Sequence, residues 1–316
     1  MEILAYTLAP YQQCFIVALH GSLRLSLGGS MGSYWRLTKP RIWGLLVFTG
    51  LVAMLVAYRE TPGSVLSYPL MLTVCISLVF GSASADVLTN YHDRDIDGVM
   101  KRTMRRPIPS GAIAPRAALS FGLSLAALSI IIPYFFVNAE SAGFMVVGLL
   151  DNVIVYSLLL KRRSWLNIIL GGFSGGMPVL VGYSAVGNAF SPIALYMSAL
   201  VMVWIPTHIW SLAIFSREDY EAAKVPMLPV VFGDRVAAVC VAAASAMLTV
   251  FSALIFLFTP VSIFYTLTAL ALGALVLAYS AKLAVDRTRT TAYTLFKITS
   301  PYLMMLFLVL GLTFWL

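Results

Sequence analysis

A stripe of oxygen-bearing side chains follows one of the long apolar runs of this chain. Asp86, Asn90, Asp93 and Asp97 lie at positions i, i+4, i+7 and i+11, so on one continuous helix they would share a face. Like charges at a four-residue spacing destabilise a helix unless something neutralises them. A hard cation such as Mg²⁺ would do so, because it binds one or two carboxylates together with the phosphate oxygens of a substrate.

A basic cluster follows directly and suits the same substrate. It consists of Lys101, Arg102, Arg105, Arg106 and Arg116. Guanidinium groups match the geometry of phosphate oxygens, so the stripe and the cluster together predict a metal–diphosphate site. The alternative is a solvated loop whose charges only set the membrane topology, but topology requires Lys and Arg rather than three aspartates in register.

A second acidic cluster repeats this order further along the chain. Glu218, Asp219 and Glu221 follow another long apolar run, with Arg217 before them and a lysine and two prolines after them. Asp219 lies 126 residues after Asp93, which is about four helices. The repeated order indicates an internal duplication, with both acidic clusters facing one cavity.

The composition excludes several classes of protein. The chain has 316 residues, of which 60% are hydrophobic and only 11% charged, and its mean hydropathy is +0.90. Charged residues make up roughly a quarter of an ordinary soluble domain, so these values predict an integral membrane protein with the lipid bilayer as its surroundings. They exclude a disordered chain and a nucleic-acid-binding domain. The three cysteines, Cys14, Cys75 and Cys240, form no CxxC pair, which excludes a disulfide scaffold.

Nine segments are long enough to cross the membrane as helices. They lie near 42–58, 69–90, 117–137, 141–160, 165–186, 193–215, 236–257, 261–283 and 297–316. Each is a continuous apolar run rather than an alternating one, which favours helices over barrel strands. We therefore expect an all-α integral membrane protein with nine transmembrane helices. Residues 31–316 would form one membrane-embedded domain, and residues 1–30 an interfacial or flexible extension without chemistry.

The basic residues are distributed unequally between the two sides of such a protein. With nine spans, all of the 21 Lys and Arg residues except Arg59 fall on the side of the amino terminus. By the positive-inside rule that side is cytoplasmic. We therefore expect a multi-pass cell-membrane protein with its amino terminus and both acidic loops in the cytoplasm and its carboxyl terminus outside.

Two acidic clusters at the cytoplasmic end of an apolar bundle suit the ionisation of an allylic diphosphate. Metal and cations would stabilise the departing pyrophosphate, while the bundle holds the isoprenoid tail. A lipid substrate would also explain why such an enzyme lies in the membrane.

Three blocks of sequence resemble the UbiA-type intramembrane prenyltransferases. They are Asp93–Pro107 (DRDIDGVMKRTMRRP), then Tyr156–Arg162 (YSLLLKR) with Gly171–Pro178 (GGFSGGMP), and then Pro206–Trp210 (PTHIW), followed by Asp219-Tyr220 and Pro226–Pro229 (PMLP). The blocks occur in the order of that family, and the resemblance covers roughly residues 31–316. Within the family they are most similar to the members that farnesylate heme.

The resemblance implies a reaction, a metal and a fold. The reaction is transfer of the farnesyl group of farnesyl diphosphate to a vinyl group of heme b, with addition of water, to give heme O and pyrophosphate. Mg²⁺ would be the cofactor, heme b a substrate, and the nine helices would surround a central cavity. The expected protein partners are heme A synthase or assembly proteins of a terminal oxidase.

The resemblance also implies roles for individual residues. The implied Mg²⁺ ligands are Asp93, Asp97, Glu218 and Asp219. The implied contacts of the diphosphate are Asn90, Lys101, Arg102, Arg105, Arg106, Tyr156, Lys161, Arg162 and Arg217, with Arg102 and Arg106 favoured in the basic cluster. Asp95 would point away from the site on a helix. One departure from the family pattern concerns the usual asparagine four residues before the first aspartate, which is Thr89 here; either Asn90 or Thr89 supplies that oxygen.

His208 is implied as a catalytic residue together with Asp93, Asp97 and Asp219. It lies near the cytoplasmic end of the sixth span, where other members of the family carry an acidic residue. An imidazole there is either a ligand of heme iron or a proton acceptor. His92 and His20 are expected to be packing residues.

Other side chains inside the spans have more than one interpretation. Asp86 could extend the metal site. Asp151 could line the porphyrin pocket or cap a neighbouring helix. The glycine-rich run from Gly171 to Gly176 is expected to allow close helix packing.

Three other functions can be distinguished from heme farnesylation. A related prenyltransferase acting on a quinone precursor or another lipid acceptor would not carry heme absorbance. A transporter built of repeats would place charges at the midplane, whereas this chain places almost all of them at one face. A heme-carrying protein would bind heme without releasing pyrophosphate.

Overall fold

The computed structural model describes residues 30–257, 259 and 262–315, and all regular secondary structure in that part of the chain is helical. The extension predicted over 1–30, with Cys14 and His20, lies outside the described residues except for Ser30. The α-helices are α1 Met31–Leu37, α2 Pro40–Glu60, α3 Tyr68–His92, α4 Arg94–Val99, α5 Pro115–Phe136, α6 Ala139–Leu150, α7 Asn167–Leu170, α8 Phe173–Ser184, α9 Pro192–Phe215, α10 Arg217–Ala222, α11 Leu228–Ala253, α12 Ile263–Asp286 and α13 Arg289–Thr313. A π-helix, Asp151–Leu160, continues α6, and a 3₁₀ turn, Leu254–Leu257, continues α11.

Eight helices in the described residues are long and apolar enough to cross a membrane. They correspond to eight of the nine predicted spans. The fifth predicted span, 165–186, is instead broken into α7 and α8 at Gly171-Gly172. The far end of α8 reaches the start of α6, since the Asn138 side chain donates to the Ser184 carbonyl at 2.7 Å. The nine-span count is therefore approximate, with eight continuous helices and one interrupted segment.

Close approach of backbones holds α8 against its neighbours. A Cβ atom added at Gly182 would lie 1.9 Å from the carbonyl oxygen of Gly50 on α2. On the other side, a Cβ added at Gly176 would lie 2.5 Å from the Ser198 hydroxyl of α9. Gly176 belongs to the glycine-rich run Gly171–Gly176, so the prediction that this run allows close helix packing is confirmed there. Together with Gly182, which lies beyond the run, it packs α8 between α2 and α9.

Large apolar side chains cover the outside of the bundle. Phe135 and Phe136 near the end of α5 are 70% and 72% exposed. Exposed apolar area of this extent is expected where a protein meets lipid rather than water. The outer surface therefore supports the membrane assignment made from composition.

The predicted duplication is visible in the order of the helices. The long helix α3 is followed by the six-residue α4, whose first turn carries Asp95 and Asp97. The long helix α9 is followed in the same way by the six-residue α10, whose first turn carries Glu218 and Asp219. Each half thus ends a span with a short acidic helix.

We expect Gly182→Ala to destabilise the protein by about 2 kcal/mol or more, because the added methyl group must separate α2 from α8. Gly143→Ala on α6 is the matched control, since a Cβ there meets nothing within 4 Å and alanine is a better helix former by about 1 kcal/mol. Thermal unfolding in detergent measures both. Equal melting temperatures for the two variants would contradict the close α2–α8 contact.

Candidate active site

The first acidic motif lies at a break between α3 and α4. Asp93 occupies the junction, yet its N–H donates to the Thr89 carbonyl at 2.9 Å and its carbonyl accepts from the Asp97 N–H at 2.8 Å. The i to i−4 bonds therefore continue through the break and keep the two carboxylates in nearly helical register. Asp93 is 0% exposed and Asp97 2% exposed, so both carboxylates point into the protein.

Each of these buried carboxylates is neutralised by a predicted site cation. Lys161 forms a short ion pair with Asp93, and Arg106 pairs with Asp97 at 2.7 Å. Burial opposes the charged form of Lys161, but the nearby Tyr156 and Asp93 outweigh it and raise the pKa of that ammonium above its ordinary value. The negative charges of Asp93 and Asp97 are thus compensated by one side chain from the loop after α4 and one from the loop after the π-helix.

Asp95 points away from this pair, as predicted. Its side chain is 62% exposed, and the Arg162 guanidinium donates to both of its oxygens at 2.6 and 2.7 Å. Those hydrogen bonds hold the pKa of Asp95 at about 2. Arg162 also lies 4.0 Å from Asp93. The third loop, residues 161–166 after the π-helix, therefore contacts the first acidic motif through Lys161 and Arg162.

The second acidic motif contacts the first loop, residues 100–114 between α4 and α5, through Asp219. Its two carboxylate oxygens accept hydrogen bonds from the backbone N–H groups of Lys101 and Arg102 at 3.0 and 3.1 Å. The two acidic clusters therefore meet at one end of the bundle, as the duplication predicted. Asp219 fixes the turn that carries the basic cluster.

Two predicted residues of the second motif are directed elsewhere. Glu218 is 68% exposed and pairs with Arg289 of α13, so the structure does not place it beside Asp219 as a metal ligand. Arg217 pairs with Asp234 of α11 at 3.0 Å instead of turning toward Asp93. Adjacent residues on a short helix face different directions, and here only Asp219 faces the first loop.

The contacts of Thr89 and Asn90 show which of the two brings its side-chain oxygen to the site. The Thr89 hydroxyl bonds to Asn152 and Ser157, both at 3.1 Å, so it points toward the π-helix. The Asn90 side-chain oxygen instead accepts from Arg106 at 3.0 Å, the same guanidinium that pairs with Asp97. Asn90 is therefore the residue that brings an amide oxygen to the site.

The π-helix positions the third loop. Its hydrogen bonds span five residues, as between the Lys161 N–H and the Tyr156 carbonyl at 2.8 Å. The Lys161 ammonium lies 5.5 Å from the centre of the Tyr156 ring. A Cβ added at Gly171 would lie 2.6 Å from the Tyr156 Cβ, so the tyrosine is packed against the start of α8.

The remaining cations of the basic cluster have exposed side chains. Lys101, Arg102 and Arg105 are exposed. Their charged ends are therefore accessible to a phosphate in solution, whereas Arg106 is committed to Asn90 and Asp97. Arg116 is also exposed, at the start of α5.

His208 lies between two aromatic rings, deeper in the bundle. Its ring stacks on Trp204 at 4.3 Å and on Phe296 at 4.4 Å between centroids. Its Nδ1 is 2.8 Å from the Thr299 hydroxyl, and that hydroxyl donates to the Phe296 carbonyl. Thr299 therefore acts as the acceptor for an Nδ1–H, which leaves the lone pair of a neutral imidazole on Nε2. Only the ring edge that carries Nε2 remains for a ligand or a proton.

Two half-buried carboxylates inside the spans have structural partners. Asp151 accepts a hydrogen bond from the Ser174 N–H at 2.7 Å, so it caps the start of α8, which is one of the two predicted alternatives. Asp86 does not point at the acidic pair but binds Lys39 at 2.7 Å. Sequence reasoning missed Lys39, and its only sequence signal was the Lys-Pro step at the start of the first span.

The acidic pair fits a magnesium–diphosphate group. Within the described part of the chain, no three His, Cys, Asp or Glu residues form a metal cluster by themselves. Mg²⁺ needs only one or two carboxylates when phosphate oxygens complete its shell. Asp93 also carries a buried Oδ1 without a hydrogen-bond partner, which is costly unless a ligand uses it. Asp93 and Asp97 therefore supply the donor set that such a group requires.

The chain matches known proteins over nearly all of its length. The model of the UbiA prenyltransferase family matches residues 46–313. A relative from Thermoplasma volcanium named protoheme IX farnesyltransferase is 43% identical over 277 residues, covering 87% of this chain and 95% of the relative. Among solved structures, digeranylgeranylglyceryl phosphate synthase superposes with a TM-score of 0.72 at 18% identity, covering 90% of this chain and 98% of that one. A UbiA homologue from Archaeoglobus fulgidus bound to GPP and Mg²⁺ superposes with a TM-score of 0.61 at 19% identity, covering 87% and 98%.

The match to the family model covers more than half of the chain. The chain belongs to the UbiA prenyltransferase family. It is a membrane-embedded prenyltransferase with the fold of that family.

We expect Asp219→Asn to lower the rate of pyrophosphate release by about 100-fold, because the turn at Lys101 and Arg102 loses its carboxylate anchor. Glu218→Gln is the matched control on the same short helix, and it should stay within about threefold of the unsubstituted protein because an exposed ion pair contributes little. A coupled pyrophosphate assay measures both. An equal loss in the two variants would mean that Glu218 also acts in the site.

Proposed function

We propose that this protein transfers the farnesyl group of farnesyl diphosphate to a vinyl group of heme b, with addition of water, to give heme O and pyrophosphate. The observation that carries the proposal is the buried pair of Asp93 and Asp97 with its two cations, in a chain whose relative is named protoheme IX farnesyltransferase. The Mg²⁺ bound by the Archaeoglobus fulgidus homologue supports the same metal here.

The carboxylates of the site form ion pairs with cations of the same site, and substrate binding would replace these ion pairs with new ones. Lys161 and Arg106 neutralise Asp93 and Asp97 in the free protein. When Mg²⁺ is bound by the carboxylates, it supplies charge stabilisation for the departing pyrophosphate. The two cations are then available to the phosphate oxygens, where guanidinium and ammonium donors stabilise the developing charge. Arg102 and Lys101 extend this contact at the mouth.

The reaction would then proceed by ionisation and capture. The bond between C1 of the farnesyl group and the diphosphate oxygen breaks, and both electrons leave with pyrophosphate. The vinyl group of heme donates its electron pair to C1 and forms the new carbon–carbon bond. Water adds to the resulting benzylic-type cation and loses a proton. The apolar helices orient both substrates and delay water until this last step.

His208 would contact the heme. Its two faces are covered by Trp204 and Phe296, and its Nε2 edge carries the free lone pair. It lies seven residues before the end of α9, which is about 10 Å along a helix from the acidic face. Heme placed against this edge would have its vinyl groups on the path between the apolar interior and the diphosphate site.

The same proposal includes the placement of the protein in the cell. The uneven distribution of Lys and Arg supports a cytoplasmic position for the acidic face and the amino terminus, with the carboxyl terminus outside. The product would be used by heme A synthase or by assembly proteins of a terminal oxidase.

Incubation of the purified protein with heme b, farnesyl diphosphate and Mg²⁺ tests the reaction. We expect a pigment whose mass increases by one farnesyl group and one hydroxyl group, measured by mass spectrometry, because the added water loses a proton. Asp93→Ala and Asp97→Ala should each lower turnover by at least about 100-fold while the protein still inserts into the membrane. Glu221→Ala removes an exposed carboxylate from the second motif and serves as the control.

Two results would contradict this proposal. Normal turnover by Asp93→Ala or Asp97→Ala would refute the metal assignment. Pyrophosphate release with a quinone precursor but not with heme, together with a purified protein free of heme absorbance, would replace the acceptor.

We expect His208→Ala to lower turnover by about 100-fold or more, and the heme spectrum distinguishes the two possible roles. If Nε2 ligates iron, the Soret band of added heme shifts in the unsubstituted protein and not in the variant. If Nε2 accepts a proton, both proteins give the same spectrum and the pH profile of turnover changes. Unchanged turnover and spectrum would remove His208 from the site.

A further inference from the structure

A half-buried ion pair lies beside the active site and has no role in the mechanism above. The Lys39 ammonium bonds to Asp86 Oδ1 at 2.7 Å, and their side chains are only 23% and 15% exposed. Lys39 lies in the short connection between α1 and α2, and Asp86 lies one turn before Asn90 on α3. The pair therefore joins the start of the first span to the helix that carries the acidic motif.

The pair is poorly suited to a purely stabilising role. Removing two charges from water is costly, and the attraction between them often does no more than offset that cost. Asp86 Oδ2 is buried without a hydrogen-bond partner, so the carboxylate is only half satisfied. Lys39 also adopts the left-handed conformation, with φ 49° and ψ 67°, which is unfavourable for a residue with a Cβ. Strain and unsatisfied groups of this kind are typical of functional sites.

A chain of contacts ties Lys39 to the diphosphate cations. The carbonyl of Leu37, two residues before Lys39, accepts from the Asn90 side chain at 3.2 Å. Asn90 in turn accepts from Arg106 at 3.0 Å. Burial lowers the pKa of Lys39, Asp86 opposes that shift, and the like charges of Arg106 and Lys161 add to it. Lys39 is therefore within electrostatic reach of both cations that neutralise the acidic pair.

Asp86 also lines an apolar cavity among α2, α3, α6 and α8. Leu46, Leu78, Phe144 and Met177 are among its walls. The Lys39–Asp86 pair thus lies where the charged face of the protein meets an apolar interior. A prenyl diphosphate has the same division, with a charged head and an apolar chain.

We propose that Lys39 is a further diphosphate-binding residue, which Asp86 holds in the free protein and releases to the diphosphate when substrate binds. This inference rests on the proposed function only in that the substrate is a prenyl diphosphate; it does not depend on heme as the acceptor. Lys39 would add a further cation, from the connection before the first span, to those of the basic cluster and the third loop. Asp86 would act by competing with the substrate for Lys39.

Competition makes the two partners of one ion pair behave in opposite ways. Loss of Lys39 removes a cation that the diphosphate uses, so binding weakens. Loss of the Asp86 charge removes the competitor and leaves Lys39 available, so binding tightens. A pair that only supports the fold would weaken binding whichever partner is removed, because the remaining charge would be buried alone.

The test measures binding of inorganic pyrophosphate with Mg²⁺ to the purified full-length protein by calorimetry. Lys39→Met should raise the dissociation constant by about tenfold, as expected for loss of one charge-assisted hydrogen bond. Asp86→Asn should lower it by about threefold or more. The double variant should resemble Lys39→Met, and Lys39→Arg should restore most of the affinity. Lys282→Met, which removes an exposed lysine from α12, controls for the loss of one charge.

Two outcomes would overturn the inference. They are an unchanged affinity in Lys39→Met, or a weaker affinity in Asp86→Asn. If Lys39→Met does not fold, the sign of the change in Asp86→Asn still decides the question. Pyrophosphate binding requires no acceptor, so these measurements remain valid if heme proves not to be the substrate. An inactive heme assay with the predicted pattern of pyrophosphate affinities would reject heme and retain Lys39.

Discussion

Neutralisation of two buried aspartates is the constraint on which the site depends. Asp93 and Asp97 are almost completely buried at the end of an apolar bundle, where an uncompensated carboxylate is costly. Lys161 and Arg106 remove that cost in the free protein. Because these cations come from different loops, their pairing also draws the third loop and the basic cluster onto the first acidic motif. The same attraction that stabilises the two carboxylates therefore brings the cations of both loops together beside them.

The duplicated architecture gives the two acidic motifs different tasks. In the first half, the junction residue Asp93 and the short helix α4 present buried carboxylates. In the second half, the junction residue is Ser216, and Asp219 of α10 accepts hydrogen bonds from the backbone at Lys101 and Arg102. One half thus presents two buried carboxylates, while the other holds the loop that carries the cations. A repeat of this kind allows the two copies of one helix pair to diverge without a change in the bundle.

Sequence patterns predicted the direction of those site side chains whose orientation depends only on their spacing along one helix. The stripe of Asp86, Asn90, Asp93 and Asp97 was predicted because a helix places these positions on one face. Its last three members contact the site cations, whereas Asp86 binds Lys39. Glu218 and Asp219 are adjacent, so they point about 100° apart on a helix, and which of them meets the first loop depends on tertiary packing. The bond between Lys39 and Asp86 joins residues 47 apart in sequence, and no local pattern encodes it. Hydropathy likewise predicted a fifth span but not its interruption, because glycine pairs change the average very little.

The interruption of that span and the π-helix are linked through Asp151. A membrane protein must satisfy its backbone groups internally, and the break at Gly171-Gly172 leaves the first N–H groups of α8 without helical partners. Asp151 accepts from one of them, the Ser174 N–H, and Asp151 is also the first residue of the π-helix. The wider turns of that helix end with the Lys161 N–H bonded to Tyr156, five residues back, which brings the Lys161 ammonium to Asp93. The carboxylate that caps the broken span therefore also anchors the segment that delivers the site cation, so the irregular backbone in the middle of the bundle is coupled to the chemistry at its end.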